Sequence, residues 1–83
     1  MISNTDEKII WTGDLDDDCT ALWAGLMLRA EWMDGSIWWW AVSVIATGSE
    51  IESSNDSDAQ CVSGSDARSL AELVARDHIR RQR

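Results

Sequence analysis

The chain has 83 residues, enough for one domain and short for an enzyme pocket of ordinary size. Its net charge of −8 argues against direct binding to nucleic acid or to an anionic membrane, where lysine and arginine supply most of the affinity. Six tryptophans stand beside no Phe and no Tyr, so the indole rings carry all the aromatic packing. Each buries roughly 150–250 Å², a gross transfer term of about 4–6 kcal/mol at ~25 cal/mol/Å².

The charge is uneven along the chain. Residues 1–60 carry twelve acids against Lys8 and Arg29, a net of −10, and residues 61–83 carry three acids against five arginines, a net of +2. Cys19 and Cys61 lie far apart, with no Cys or His at metal-ligand spacing, so we expect no zinc site, no disulfide scaffold and no cofactor. The first residues lack the basic and apolar regions of a signal peptide, and the longest apolar run, 37–46, is too short to span a bilayer. We therefore expect a cytoplasmic chain with two reduced cysteines serving as small core fillers.

In chain order, residues 1–7 read as a frayed, polar start. Residues 8–12 are β-rich and predict a short first strand. Gly13 and the acids Asp14, Asp16, Asp17 and Asp18 break it, because four like charges in five residues belong on a loop. Residues 20–33 read as helix or strand; the strand is preferred because it gathers every charge on one face. That reading sets Leu22, Ala24, Leu26, Leu28, Ala30 and Trp32 inward, and Trp23, Gly25, Met27, Arg29, Glu31 and Met33 outward, with Gly25 marking a bulge or a close backbone approach.

Asp34-Gly35 is a hairpin signal leading into Ser-Ile-Trp-Trp-Trp-Ala-Val-Ser-Val-Ile at 36–45, the stretch that organises the fold. Alternation there places Trp38, Trp40, Val42 and Val44 on a core face. Ile37, Trp39, Ala41, Ser43 and Ile45 fall on a second, unusually apolar face. A turn at 46–50 and a short strand at 50–54, with Ile51 inward, complete a meander over 8–54. Residues 55–64 read as a loop, tacked to the core by Cys61 and Val62. Residues 65–81 predict a helix with Ser65 as N-cap, an apolar stripe of Leu70, Leu73, Val74 and Ile79 or of Ala71 and His78, and arginines at its C-terminal end. The expected fold is α+β: a single domain, 1–83, with a three- to four-stranded antiparallel meander and one C-terminal helix packed on one face.

No motif carries catalysis. Asp14-x-Asp16-x-Asp18 resembles the start of a calcium loop, but Cys19 and Gly25 stand where such a loop needs Gly and a bidentate Glu. His78, the single histidine, suits the end of a helix, where its charge complements the dipole. The informative residues are instead those of an interface. Trp39, with Trp23 near it across the hairpin and charged Arg29 and Glu31 beside it, has the composition of a binding hot spot. The acids at 14–18 and those from Glu50 and Glu52 to Asp58 could present carboxylates to a basic groove with phosphate-like spacing. The candidate partner-binding residues are Asp14, Asp16, Asp17, Asp18, Trp23, Glu31, Trp39, Glu50 and Glu52.

The order of a strand containing Trp38-Trp39-Trp40-Ala41-Val42, a turn at Thr47-Gly48, a polar stretch at Ser53-Ser54-Asn55 and a terminal helix over 67–80 resembles small proteins of bacterial phages and mobile elements. In layout it is similar to the half-sized double-stranded-RNA-binding-like fold of HicB-type antitoxins, without their DNA-binding part. In size and acidity it resembles the anti-CRISPR proteins. The resemblance implies a stoichiometric inhibitor in a bacterial host cell that occupies the basic surface of a nucleic-acid-binding defence complex. The alternative is an antitoxin-like or accessory domain that forms a homodimer through its Trp-rich sheet.

Overall fold

The turn at Ala24 and Gly25 decides how the first half of the chain folds. Both residues have positive φ, 53° and 79°, the pairing that closes a two-residue hairpin whose twist matches its strands. In the computed structural model, which describes residues 8–35, 37–54 and 63–82, this turn separates β2 (Asp18–Trp23) from β3 (Leu26–Asp34). The remaining elements are β1 (Thr12–Gly13), β4 (Ile37–Val44), β5 (Glu50–Ser53) and α1 (Gly64–Arg81). All neighbours pair antiparallel in the order β1-β2-β3-β4-β5.

The α+β meander with one C-terminal helix is thus the observed architecture, with five strands rather than three or four. The extra strand comes from residues 20–33, which form a hairpin and not one continuous strand. The correction also reverses the inside and outside of residues 20–23. Trp23 opposes Leu26 and is buried, whereas Leu22 opposes Met27 and is 65% exposed. The first strand is shorter and later than expected, because Ile9 and Trp11 leave the sheet edge to pack on the core. The expected frayed start and the contacts of Cys61 and Val62 lie outside the described residues, as do Asp56 and Asp58.

One face of the sheet holds the core: Cys19, Ala21 and Trp23 from β2, Leu26, Leu28 and Ala30 from β3, and Trp38, Trp40 and Val42 from β4. Against these large rings the helix presents small side chains, Ala67, Ala71 and Ala75, which are fully buried. The size match explains the correction to its stripe. A row of leucines would stand off the indoles, so Leu70, Val74 and Ile79 pack at the flanks and Leu73 is 61% exposed. Gly64 starts the helix where a Cβ would lie 2.9 Å from Cη2 of Trp38.

The helix begins one residue earlier than expected, and Ser63, not Ser65, caps it by accepting from the Asp66 amide at 3.1 Å. Side-chain contacts fix its position over the sheet. Arg68 Nη1 donates to the Leu15 carbonyl at 2.9 Å, Trp11 Nε1 donates to Glu72 Oε2 at 2.9 Å, and the Arg76 guanidinium lies 5.1 Å from the ring centre of Trp23. The N-terminal end of α1 therefore meets the acidic loop, and its basic C-terminal end meets the opposite end of the sheet. Within the core, Trp40 Nε1 has no hydrogen-bond partner among the described residues. An unpaired buried donor of this kind costs about 1–3 kcal/mol.

Candidate protein-binding face

The face of the sheet turned away from the helix is set by strand alternation. It presents Thr20 and Leu22 from β2, Met27, Arg29 and Glu31 from β3, and Trp39 and Ser43 from β4, whereas Ala41 and its β5 neighbour Ser53, in the same register, are buried. Arg29 sits at the centre. Its Cζ lies 5.6 Å from the Trp39 ring centre, and its Nη2 lies 3.9 Å from Asp18 Oδ1 and 3.8 Å from Glu31 Oε2. The register explains the grouping: Asp18 opposes Glu31, and Glu31 opposes Trp39, so the three form one row across three strands. Half-exposed ion pairs like these contribute about 0–1 kcal/mol to folding and leave their charges open to a ligand.

The acidic loop joins this face at one end. Gly13, at φ 97°, lets the chain turn where a Cβ would come within 2.8 Å of the Asp18 carbonyl. Asp14 then orders the loop, its Oδ1 accepting from the Asp16 amide at 2.9 Å and its carbonyl from the Asp17 amide at 3.1 Å. The Asp17 carbonyl accepts from the Trp32 amide, which ties the loop to β3. The carboxylates of Asp16 and Asp17 are left on exposed residues.

The structure brings Asp14, Asp16, Asp17, Asp18, Glu31 and Trp39 to one end of the sheet. It does not bring Glu50 and Glu52 to them. Glu50 opposes Ser43 on the far edge strand, which places it roughly 20 Å from Asp18 at ordinary strand rise and spacing. Trp23 is not on this face at all; the hairpin turns it into the core beneath Arg76. Sequence reasoning gave Arg29 too small a part and missed Leu22, whose exposure follows from the turn at Ala24 and Gly25. Trp32 was expected inside. It keeps the helix-side register but is 44% exposed, with Nε1 donating to the Gly35 carbonyl at 2.7 Å.

Elsewhere the chemistry is sparse. Burial pushes the Cys19 thiol up, against the opposing pull of Arg68, and its Sγ donates to the Ala30 carbonyl at 3.6 Å. Such a thiol is a core group and a poor nucleophile. Among the described residues, no cluster of His, Cys, Asp or Glu has the geometry to hold a metal ion, and no helix is long and apolar enough to cross a membrane. Comparison with protein-family models, with curated proteins and with solved structures found no match.

Proposed function

We propose that this chain is a non-enzymatic binding protein that docks a basic protein surface through the sheet face opposite its helix. The observation that carries the reading is the Arg29–Trp39 pair flanked by Asp18 and Glu31 and continuous with the 14–18 loop. A tryptophan anchor ringed by carboxylates gives contact area at the centre and long-range attraction at the rim, the division of labour expected of an interface. The partner that fits is a bacterial nucleic-acid-binding complex of the kind phage-encoded inhibitors block. Its basic groove would meet carboxylates in place of phosphates, and the chain would act stoichiometrically in the host cytoplasm. Because Glu50 and Glu52 lie on the far edge, such mimicry rests on the 14–18 end alone.

A second copy of the chain fits this face less well. Two faces brought together would bury two copies of Arg29 and four carboxylates, and charges taken from water are repaid only by close pairing. Two chains of net charge −8 also repel one another on approach.

The test is affinity capture from a bacterial lysate across a salt series, followed by reconstitution with the purified partner. A nucleic-acid-binding complex that is released as salt rises, and that loses its nucleic-acid binding at one equivalent of this protein, supports the proposal. Asp16→Asn, Asp17→Asn and Asp18→Asn together, or Trp39→Ala alone, should abolish capture. Recovery of nothing but a second copy, with Trp39→Ala dissolving a dimer in sedimentation, would replace this reading with the homodimer.

A further inference from the structure

We infer that Asp18, Glu31 and Trp39 form an acceptor for an arginine side chain of the partner, a place that Arg29 fills in the free protein. The inference rests on the docking face proposed above and specifies the chemistry of its contact. Asp18 and Glu31 are direct cross-strand neighbours, a placement that like charges disfavour unless a cation stands between them. Arg29 is that cation, but it serves both carboxylates poorly. Its contacts of 3.9 and 3.8 Å are a full ångström longer than charge-assisted hydrogen bonds of about 2.7–2.9 Å. Two carboxylates thus share one distant guanidinium and keep most of their acceptor capacity.

The third partner selects arginine over lysine. A planar guanidinium can stack on an indole while its edge donates to carboxylates in its own plane, whereas an ammonium offers a point charge with no plane to stack. Arg29 marks the position without filling it well: its Cζ lies 5.6 Å from the Trp39 ring centre and its Nη2 3.9 and 3.8 Å from the two acids. It is also free to leave. Its side chain is 42% exposed and belongs to no part of the core, so its displacement costs two weak surface pairs and its contact with the Trp39 ring, which the incoming arginine replaces.

The full chain is titrated with a capped Gly-Arg-Gly-Arg-Gly peptide and with its Gly-Lys-Gly-Lys-Gly counterpart at low salt. Binding is followed by the Trp39 indole N–H signal in proton–nitrogen spectra. The arginine peptide should shift the Trp39 signal and bind at least threefold tighter than the lysine peptide. Asp18→Asn with Glu31→Gln should weaken it at least tenfold, while the other indole signals report an intact fold. Arg29→Met, which empties the acceptor, should bind the arginine peptide several-fold tighter than Arg81→Gln, which removes the same charge at a remote helix end. Equal affinity for the two peptides, or an Arg29→Met variant no tighter than Arg81→Gln, overturns the inference. Failure of the peptides with capture of a complex intact would remove the acceptor alone; loss of capture with the peptides still selective would remove the proposed partner alone.

Discussion

Trp11 Nε1 donates to Glu72 Oε2 at 2.9 Å, joining the stretch before the first strand to the middle of the helix across 61 residues of sequence. This bond links two segments that the meander does not connect. Its acceptor is charged and its setting is partly buried, conditions under which such a bond contributes more than a neutral surface one. Glu72→Ala should lower the unfolding free energy by about 1–2 kcal/mol. Glu72→Gln, which keeps an acceptor oxygen, should cost less than half as much. Urea unfolding of the two variants checks the order, and equal losses would show that the indole makes no bond there.

Gly64 tests the fit between the helix and the tryptophans. Alanine at this position would set a Cβ 2.9 Å from Trp38 Cη2, 2.9 Å from Arg68 Nη1 and 3.0 Å from the Leu15 carbonyl. Arg68 is flexible, but the ring and the carbonyl are not, so Gly64→Ala should destabilise by about 1–3 kcal/mol despite the better helix propensity of alanine. A shorter ring in Trp38→Phe should relieve part of that cost. A double-mutant cycle by urea unfolding measures the relief.

At the β2–β3 turn, Ala24 adopts φ 53°, a region that costs an L-residue roughly 1–2 kcal/mol. Asparagine tolerates it better and forms, with Gly25, the favoured dipeptide of this turn. Ala24→Asn should therefore raise stability by about 0.5–1 kcal/mol. The expected readout is a higher urea midpoint at an unchanged slope; a lower midpoint would mean that the partly buried methyl group contributes more to the core than the turn conformation costs.

That turn also explains what was legible in the sequence and what was not. Alternation over 36–45 reports the two faces of β4 because nothing interrupts its period of two. The period of 20–33 is interrupted by two residues, so its phase reverses at a turn lacking the usual Asn or Asp before Gly. Leu26, Leu28 and Ala30 keep their expected inward places, while Leu22 and Trp23 exchange theirs. The candidate site divides in the same way. Local spacing kept Asp14, Asp16, Asp17 and Asp18 together, and register brought Glu31 and Trp39 to them. Only the order of strands across the sheet reveals that Glu50 and Glu52 lie on the far edge. Of the three alanines at the helix interface the apolar stripe pointed to Ala71 alone, and Ala67 and Ala75 were hidden because the choice follows from the size of rings on other elements.

Cys19 gives a pH dependence with a definite sign. Burial raises its thiol pKa in the fold, so the folded chain holds that proton more tightly than the unfolded chain does. The resulting stability is fully present below the unfolded thiol pKa of about 8.5 and is lost as pH rises through the folded value. Between about pH 7 and pH 10 the native protein should lose more stability than Cys19→Ala, which lacks the group. Urea midpoints of the two proteins across that range provide the check, and parallel curves would refute it.

Trp39 and Trp40 are adjacent in sequence and opposite in role. Trp40 is 1% exposed between the sheet and the helix, and Trp39 lies half-buried on the other face beneath Arg29. Removing a fully buried indole leaves a large cavity, so Trp40→Ala should cost about 3–5 kcal/mol and bring a chain of this size close to unfolding. Trp39 is partly exposed and stands outside the core cluster, so Trp39→Ala should cost on the order of 1 kcal/mol. Thermal unfolding of the pair tests the contrast. If Trp39→Ala proves as destabilising as Trp40→Ala, the outer face is covered in the isolated protein and cannot serve as the docking surface. A folded Trp39→Ala chain that has lost its partner would assign the ring to binding, because stability would then have been measured and set aside as the cause.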